Sequence, residues 1–343
     1  MVCQRIGRRQ HLLSQGVLIS CLLFGFFVSS AKATHYISFD GPGSSETRGM
    51  SINNNGEIAG YFTDASGIHG FARAADGTFT SFDVPGAVGT QSASIGRDGD
   101  VAGIYYDGNQ MRHGFVRTAD GAITPFDVPG AMETLPACIA RIGRVVGSFA
   151  RPGRKFHGFV RDVDGQTRDI RFPGAQNTFF VGINHEGVIA GQYDDRATMH
   201  GFVRDFGRNF VTFDVSGSIS TWVSGLNNLG EIAGYYVGFP DGRAHGYVRA
   251  ADGAITAFDV PGSSWTFPSS INDKGMIAGR YLDDTSAPTW HGFARFPDGT
   301  VEIVDVPGSV LTEASSINDK GMITGLWEDS QYVIHGFVFG RAR

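Results

Sequence analysis

The chain has 343 residues, 18% of them charged and 41% hydrophobic, with 49 glycines, 13 prolines and three cysteines. A formal net charge of −6 argues against general nucleic-acid binding, which needs a basic surface to neutralise phosphates. So few cysteines exclude a disulfide framework, so the fold must rest on packing.

Residues 1–33 read as a secretory signal peptide. Arg5, Arg8 and Arg9 form a basic start, residues 16–27 are mostly apolar, and Ala31-Lys32-Ala33 is a small-x-small cleavage motif. Cleavage after Ala33 would place the mature chain outside the cell or in the periplasm. Two other readings stay open: a twin-arginine signal at Arg8-Arg9-Gln10-His11-Leu12 and a lipoprotein box at Leu18-Ile19-Ser20-Cys21. Losing this leader removes four basic residues and no acid, which takes the net charge to −10. Cys3 and Cys21 leave with it, so Cys138 stands alone and no intrachain disulfide is expected. No later apolar stretch approaches the roughly 20 residues needed to span a bilayer.

From Thr34 onward the chain is a repeat. His69, His113, His157, His200, His245, His291 and His335 recur at steps of 44, 44, 43, 45, 46 and 44 residues, usually as His-Gly-Phe. Residues 257–302 show the unit best. Ala257-Phe258-Asp259-Val260 is a short apolar run closed by Pro261-Gly262, and Ser270-Ile271-Asn272 leads into the turn Asp273-Lys274-Gly275. Ile277-Ala278-Gly279-Arg280-Tyr281 follows, then a variable loop, His291-Gly292-Phe293 and the hairpin signal Asp298-Gly299. Apolar runs this short, punctuated by tight turns, predict four strands per unit and no helix.

Seven such units predict an all-β fold, a seven-bladed β-propeller with four-stranded blades forming one domain over residues 34–343. The mature chain starts with a copy of the Phe-Asp-Val strand and ends without one. Residues 35–40 are therefore expected to complete the last blade and close the ring; the alternative phase gives seven contiguous blades without a splice. Gly60, Gly103, Gly147, Gly191, Gly234, Gly279 and Gly325 fall inside the second strand, where glycine marks a bulge or a close backbone approach. The aromatics two residues on, Phe62, Tyr105, Phe149, Tyr193, Tyr236, Tyr281 and Trp327, are expected in inter-blade core.

The His-Gly-Phe strand and the Ile-Asn-x-x-Gly-x-Ile-Ala-Gly pattern at 52–60, 183–191 and 271–279 resemble the HAF-repeat family of extracellular bacterial proteins. The resemblance covers residues 34–343. It implies export and repeat architecture, and no known activity.

A residue present seven times is a poor candidate for unique chemistry. The seven histidines, the threonines Thr47, Thr90, Thr134, Thr178, Thr221, Thr266 and Thr312, and Asp40, Asp83, Asp127, Asp214, Asp259 and Asp305 are expected to form structural His–Thr–Asp networks. Function should lie where units differ: in loops 63–68, 106–112, 150–156, 194–199, 237–244, 282–290 and 328–334, and in the residue after each threonine. Those residues are Arg48, Gln91, Leu135, Phe179, Trp222, Phe267 and Glu313. Around one mouth, Arg48, Gln91 and Glu313 would form a polar side facing the aromatics Phe179, Trp222 and Phe267, an arrangement suited to a ligand pocket and to a sugar ring.

Arg141, Arg144, Arg151, Arg154, Lys155, Arg161 and Arg168 make the third unit basic, which reads as solvated surface or as a docking patch. Cys138 occupies a small-residue slot and reads as packed. No metal-ligand spacing or cofactor motif is evident, so neither a metal nor a cofactor is expected. The function read from the sequence is a monomeric, exported, non-enzymatic binding or scaffold protein for carbohydrate or a protein partner. The alternative is an extracytoplasmic carbohydrate hydrolase or lyase using Glu313 with Glu46 or Glu133, which would need two carboxylates facing one substrate.

Overall fold

The computed structural model describes residues 34–341 apart from 141, 142, 154 and 197. The proposed leader, Arg141 and Arg154 lie outside the described residues. All regular structure is β: four separate four-stranded sheets and one of twelve strands. No helix of the described residues is long and apolar enough to cross a membrane.

The sixth repeat shows how the sequence builds a unit. Ser263–Ile271, Ile277–Asp283, Trp290–Arg295 and Val301–Ile303 pair in order, all antiparallel. Asn272 makes the first hairpin: its carbonyl accepts from the Gly275 amide, and Oδ1 accepts from the Lys274 and Met276 amides. Gly275 takes φ of +70°, the left-handed geometry expected for Asn-x-x-Gly. The twelve-stranded sheet contains three such four-strand groups. They are joined only by single parallel pairs, Glu46 with Ile334 and Ile68 with Gly89, because short crossovers bring these strand ends together.

Thr34–Phe39 pairs antiparallel with Ile334–Arg341, with Ser38 opposite Phe337. Around this pairing Trp327 Nε1 donates to Ser38 Oγ at 3.0 Å, and Tyr36 packs on Phe339 at 5.0 Å. Asp40, just past the strand, sits 2.9 Å from His335 Nδ1.

The core consists of apolar clusters between consecutive repeats. Val84 and Ala59 of the first meet Ile95, Val101 and Phe115 of the second. Val338 of the last repeat packs with Ile52, Ile58, Phe62 and Phe71 of the first, against Phe39. In the first six repeats an arginine follows the third-strand His-Gly-Phe or His-Gly-Tyr, and in most it lies over the Phe of the previous fourth strand: Arg117 over Phe82 at 4.9 Å, Arg249 over Phe213 at 5.0 Å and Arg295 over Phe258 at 4.6 Å; Phe339 holds that position in the last. Arg204 breaks the pattern and covers its own repeat's Phe210, because the preceding fourth strand ends in Ile170 in place of Phe.

Side-chain amides also link repeats. Asn227 Nδ2 donates to the Asn272 carbonyl, Asn272 to Asn318, and Asn318 to Asn53, at 2.8–2.9 Å. Asn53 in turn donates to the Gly96 carbonyl at 3.0 Å.

Phe39 ties the first strand to this core, 5.8 Å from Phe71 and beneath Arg73. Phe39→Ala should cost about 2–4 kcal/mol, read as a lower urea midpoint with unchanged slope.

Candidate ligand-binding site

The fixed residues form a framework around the variable ones. Each threonine is fully buried in the first strand of its unit. Its Oγ1 accepts a backbone N–H six residues upstream: Val84 to Thr90 at 3.1 Å, Val260 to Thr266 at 3.2 Å, Gly41 to Thr47 at 3.0 Å. The expected His–Thr–Asp network is therefore corrected. Threonine pins the crossover backbone and takes no part, while the histidine does pair with the expected aspartate.

Each histidine packs on its repeat's second-strand aromatic, stacked in most repeats, as Tyr281 is on His291 at 5.1 Å and Trp327 on His335 at 4.5 Å, and edge-on for Phe149 and His157 at 5.5 Å. These aromatics also reach core, where Phe62 and Phe149 are buried against the preceding repeat. Nδ1 meets an aspartate near the crossover: Asp83 for His69 at 2.9 Å, Asp127 for His113 at 2.9 Å, Asp305 for His291 at 2.7 Å. In the third repeat Asp169 takes this part for His157, two residues earlier than the pattern places it. Nε2 faces a second carboxylate from the variable loop: Asp64 at 3.1 Å, Asp241 at 3.0 Å, Asp283 at 3.2 Å. In these repeats both ring nitrogens are thus engaged by the protein, whereas the third repeat's loop has no carboxylate to offer His157 Nε2. No group of three or more His, Cys, Asp or Glu among the described residues could hold a metal ion.

The second-strand glycine fixes the geometry of the variable positions. A Cβ on Gly279 would lie 2.4 Å from the Phe267 carbonyl oxygen, and one on Gly325 would lie 1.9 Å from that of Glu313. The other five repeats repeat this approach. Beside it the first strand bulges by one residue, the shift falling between Pro268 and Ser270 or between Ala314 and Ser316.

The structure gathers only part of the expected mouth. Phe267 and Glu313 meet through Arg280, whose Nη1 is 2.5 Å from Glu313 Oε1. The Arg280 guanidinium lies 4.9 Å from the Trp290 ring and 5.8 Å from Phe267. Tyr235 sets its edge to Phe267 at 4.8 Å and lies parallel to Trp222 at 5.8 Å. Together with Ser224, Ser269 and Ser315, Tyr235, Phe267, Arg280 and Glu313 line a cavity of about 310 Å³.

Glu313 therefore joins the aromatic arc in place of the predicted polar side. Arg48 pairs with Glu46. Burial opposes its charge, yet Glu46, Tyr61 and the more distant Glu313 raise its pKa. Gln91 accepts from the Tyr106 hydroxyl at 3.1 Å, and Phe179 packs on Phe156 at 5.2 Å. Tyr235 and Arg280 went unnoticed in the sequence, although a signal was present. The residue after the fixed glycine varies as Tyr61, Ile104, Ser148, Gln192, Tyr235, Arg280 and Leu326, directly opposite the residues after the threonines.

A second cavity, about 240 Å³, is lined by the Ile-Asn ends of the first strands and draws residues from every repeat, including Asn53, Gly96, Ala140, Ile183, Asn227, Asn272 and Asn318. Cys138 lies there half-buried, and burial pushes its thiol pKa up, which disfavours a reactive thiolate. In the basic repeat, Arg144 and Arg168 pair with Asp162, and Arg151 pairs with Asp169, so much of its charge is neutralised locally.

No family model and no curated protein matches the chain. Solved structures do. A streptogramin B lyase superposes with TM-score 0.60 at 13% identity, covering 90% of this chain and 98% of that one. A catalytically inactive virginiamycin B lyase from Staphylococcus aureus, solved with quinupristin, gives 0.60 at 14% identity, covering 89% and 99%. The β-propeller domain of the Trilobed protease from Pyrococcus furiosus gives 0.63 at 10% identity, covering 86% and 92%. The fold is a β-propeller. At these identities the likeness carries no activity.

The histidine clamps make stability depend on pH. Burial opposes the charge of His69, His245 and His291, but hydrogen bonds and attraction from their paired aspartates outweigh it and raise all three pKa values. Hydrogen bonds from Ser66 lead those that hold Asp64 down at about 2. A raised histidine stabilises fully below its unfolded value of about 6.5, and that contribution is lost as pH rises through the folded value. The Asp64 contribution is present above about 4 and is lost as pH falls toward its folded value. Tm should therefore decline between pH 6 and 8, and the decline should shrink in Asp83→Asn, as scanning fluorimetry across that range would show.

Proposed function

We propose that the chain is an exported, non-enzymatic binding propeller that recognises carbohydrate at the crossover-loop mouth. In this reading it is a HAF-repeat protein whose seven blades close into a ring, with residues 34–39 supplying the last blade's fourth strand. Support for closure comes from the pairing of that strand with Ile334–Arg341, from Val338 packing on the first repeat, and from the Asn318–Asn53 hydrogen bond.

The observation that carries the binding reading is the convergence of Trp222, Tyr235, Phe267, Arg280 and Glu313 at positions where the repeats differ. Aromatic surface beside a few fixed polar groups is the usual make-up of a small-ligand site. The hydrolase or lyase alternative needs two carboxylates free to act on one bond. Glu46, Glu133 and Glu313 are each held by an arginine instead: Arg48, Arg112 and Arg280.

A glycan array probed with the full chain should give discrete positives. Trp222→Ala and Phe267→Ala should each weaken them at least tenfold, whereas Arg48→Ala should weaken them less, because its partner is Glu46. A blank array, or signals indifferent to both aromatic substitutions, would remove this reading. Release of shortened glycans on prolonged incubation would favour the enzyme.

A further inference from the structure

The residue expelled by each first-strand bulge is Met50, Ala93, Ala137, Val181, Ser224, Ser269 or Ser315. Four consecutive repeats thus place an apolar side chain at this position, and the next three place a hydroxyl. A bulge re-aims its extra side chain, and all three serines line the cavity that Tyr235, Phe267, Arg280 and Glu313 enclose. Among the described residues, none of the three hydroxyls has a hydrogen-bond partner, although each is only partly buried. The same three repeats supply Trp222, Phe267 and Glu313, so the polar and aromatic groups share one arc.

We infer that this arc is a subsite for the terminal residue of a neutral glycan, a pyranose ring entering the channel end-on. The inference rests on the carbohydrate reading above and narrows it. Three points carry it. First, the cavity is about 310 Å³, at the small end of the roughly 300–1,000 Å³ typical of ligand pockets, which suits a single ring or a short end and not a chain laid across the mouth. Second, the only charged groups lining it, Arg280 and Glu313, neutralise each other. A uronate or an amino sugar could gain an opposite charge there only by breaking that ion pair and leaving the other member unpaired, a cost that a neutral sugar avoids. Third, three unpartnered hydroxyls on one wall, with the Glu313 acceptor and Arg280 donors beside them, match a ring of adjacent hydroxyls. The apolar C–H face of that ring can rest on Tyr235 and Phe267.

Calorimetric titration of the full chain tests this with four probes: a set of neutral methyl hexopyranosides, methyl glucuronide, glucosamine, and a cyclic glucan that has no chain end. At least one neutral hexoside should bind ten times or more tighter than both charged sugars, and the cyclic glucan should not bind. Ser269→Ala and Ser315→Ala should each weaken the hexoside about 3- to 10-fold, the effect of losing one neutral hydrogen bond, while Ala137→Ser, at the third repeat's bulge and outside this cavity, should leave it unchanged. Tighter binding of a charged sugar, binding of the cyclic glucan, or indifference to both serine substitutions would overturn the inference. If Trp222→Ala still abolished glycan-array binding in that event, the broader carbohydrate reading would stand.

Discussion

The contact on which the rest of the structure depends is the approach of the first-strand carbonyl to the second-strand glycine. With 1.9–2.4 Å between that oxygen and the place of a Cβ at Gly279 and Gly325, any side chain would push the strands apart. Glycine lets them close, and closure forces the neighbouring residue out as a bulge. One steric fact thereby sets three positions per repeat: the residue after the threonine, the one opposite it on the second strand, and the bulge residue. These are the positions at which the units part company chemically. The framework is uniform so that a small number of outward choices can differ.

The histidines belong to the uniform part. Each has its Nδ1 against an aspartate and its ring against an aromatic, and in most repeats a loop carboxylate meets Nε2 as well, as Asp64 does for His69, so the ring clamps a crossover to a hairpin loop. Such a clamp consumes the groups that catalysis or metal binding would need. Repetition in the sequence and pairing of the histidines in the structure describe the same economy: the units solve one problem with nearly the same residues, and the third substitutes Asp169 where its pattern lapses.

Much of this was legible from spacing alone. The all-β character, four strands per unit and the glycine approach follow from short apolar runs and turn chemistry, which are local, and the N-terminal strand expected at 35–40, a copy of the repeated Phe-Asp-Val strand, lies at Thr34–Phe39. What escaped was lateral. His69 does meet the expected Asp83, yet Thr90 turns to the Val84 amide and Asp64 of the loop takes the other ring nitrogen. Glu313 was placed beside Arg48 by ring order, but Arg280 of the preceding repeat reaches it first. Neighbours across a sheet, as with Phe267 and Arg280, are set by register, which the spacing of first-strand residues does not carry.

The pairing of residues 34–39 with 334–341 has a bearing on how the protein comes into being. Ser38 meets Gly336 across 298 positions of sequence. Until the final repeat is available, the first strand has no partner and the third strand of the last unit has an open edge. Contacts of such long range are slow to form, since loop-closure entropy is lost before packing compensates. The earlier repeats can stack on one another as they emerge, but the last sheet must wait for both ends of the chain. If the chain is exported unfolded, as proposed above, that delay would keep it pliable until its last repeat is through.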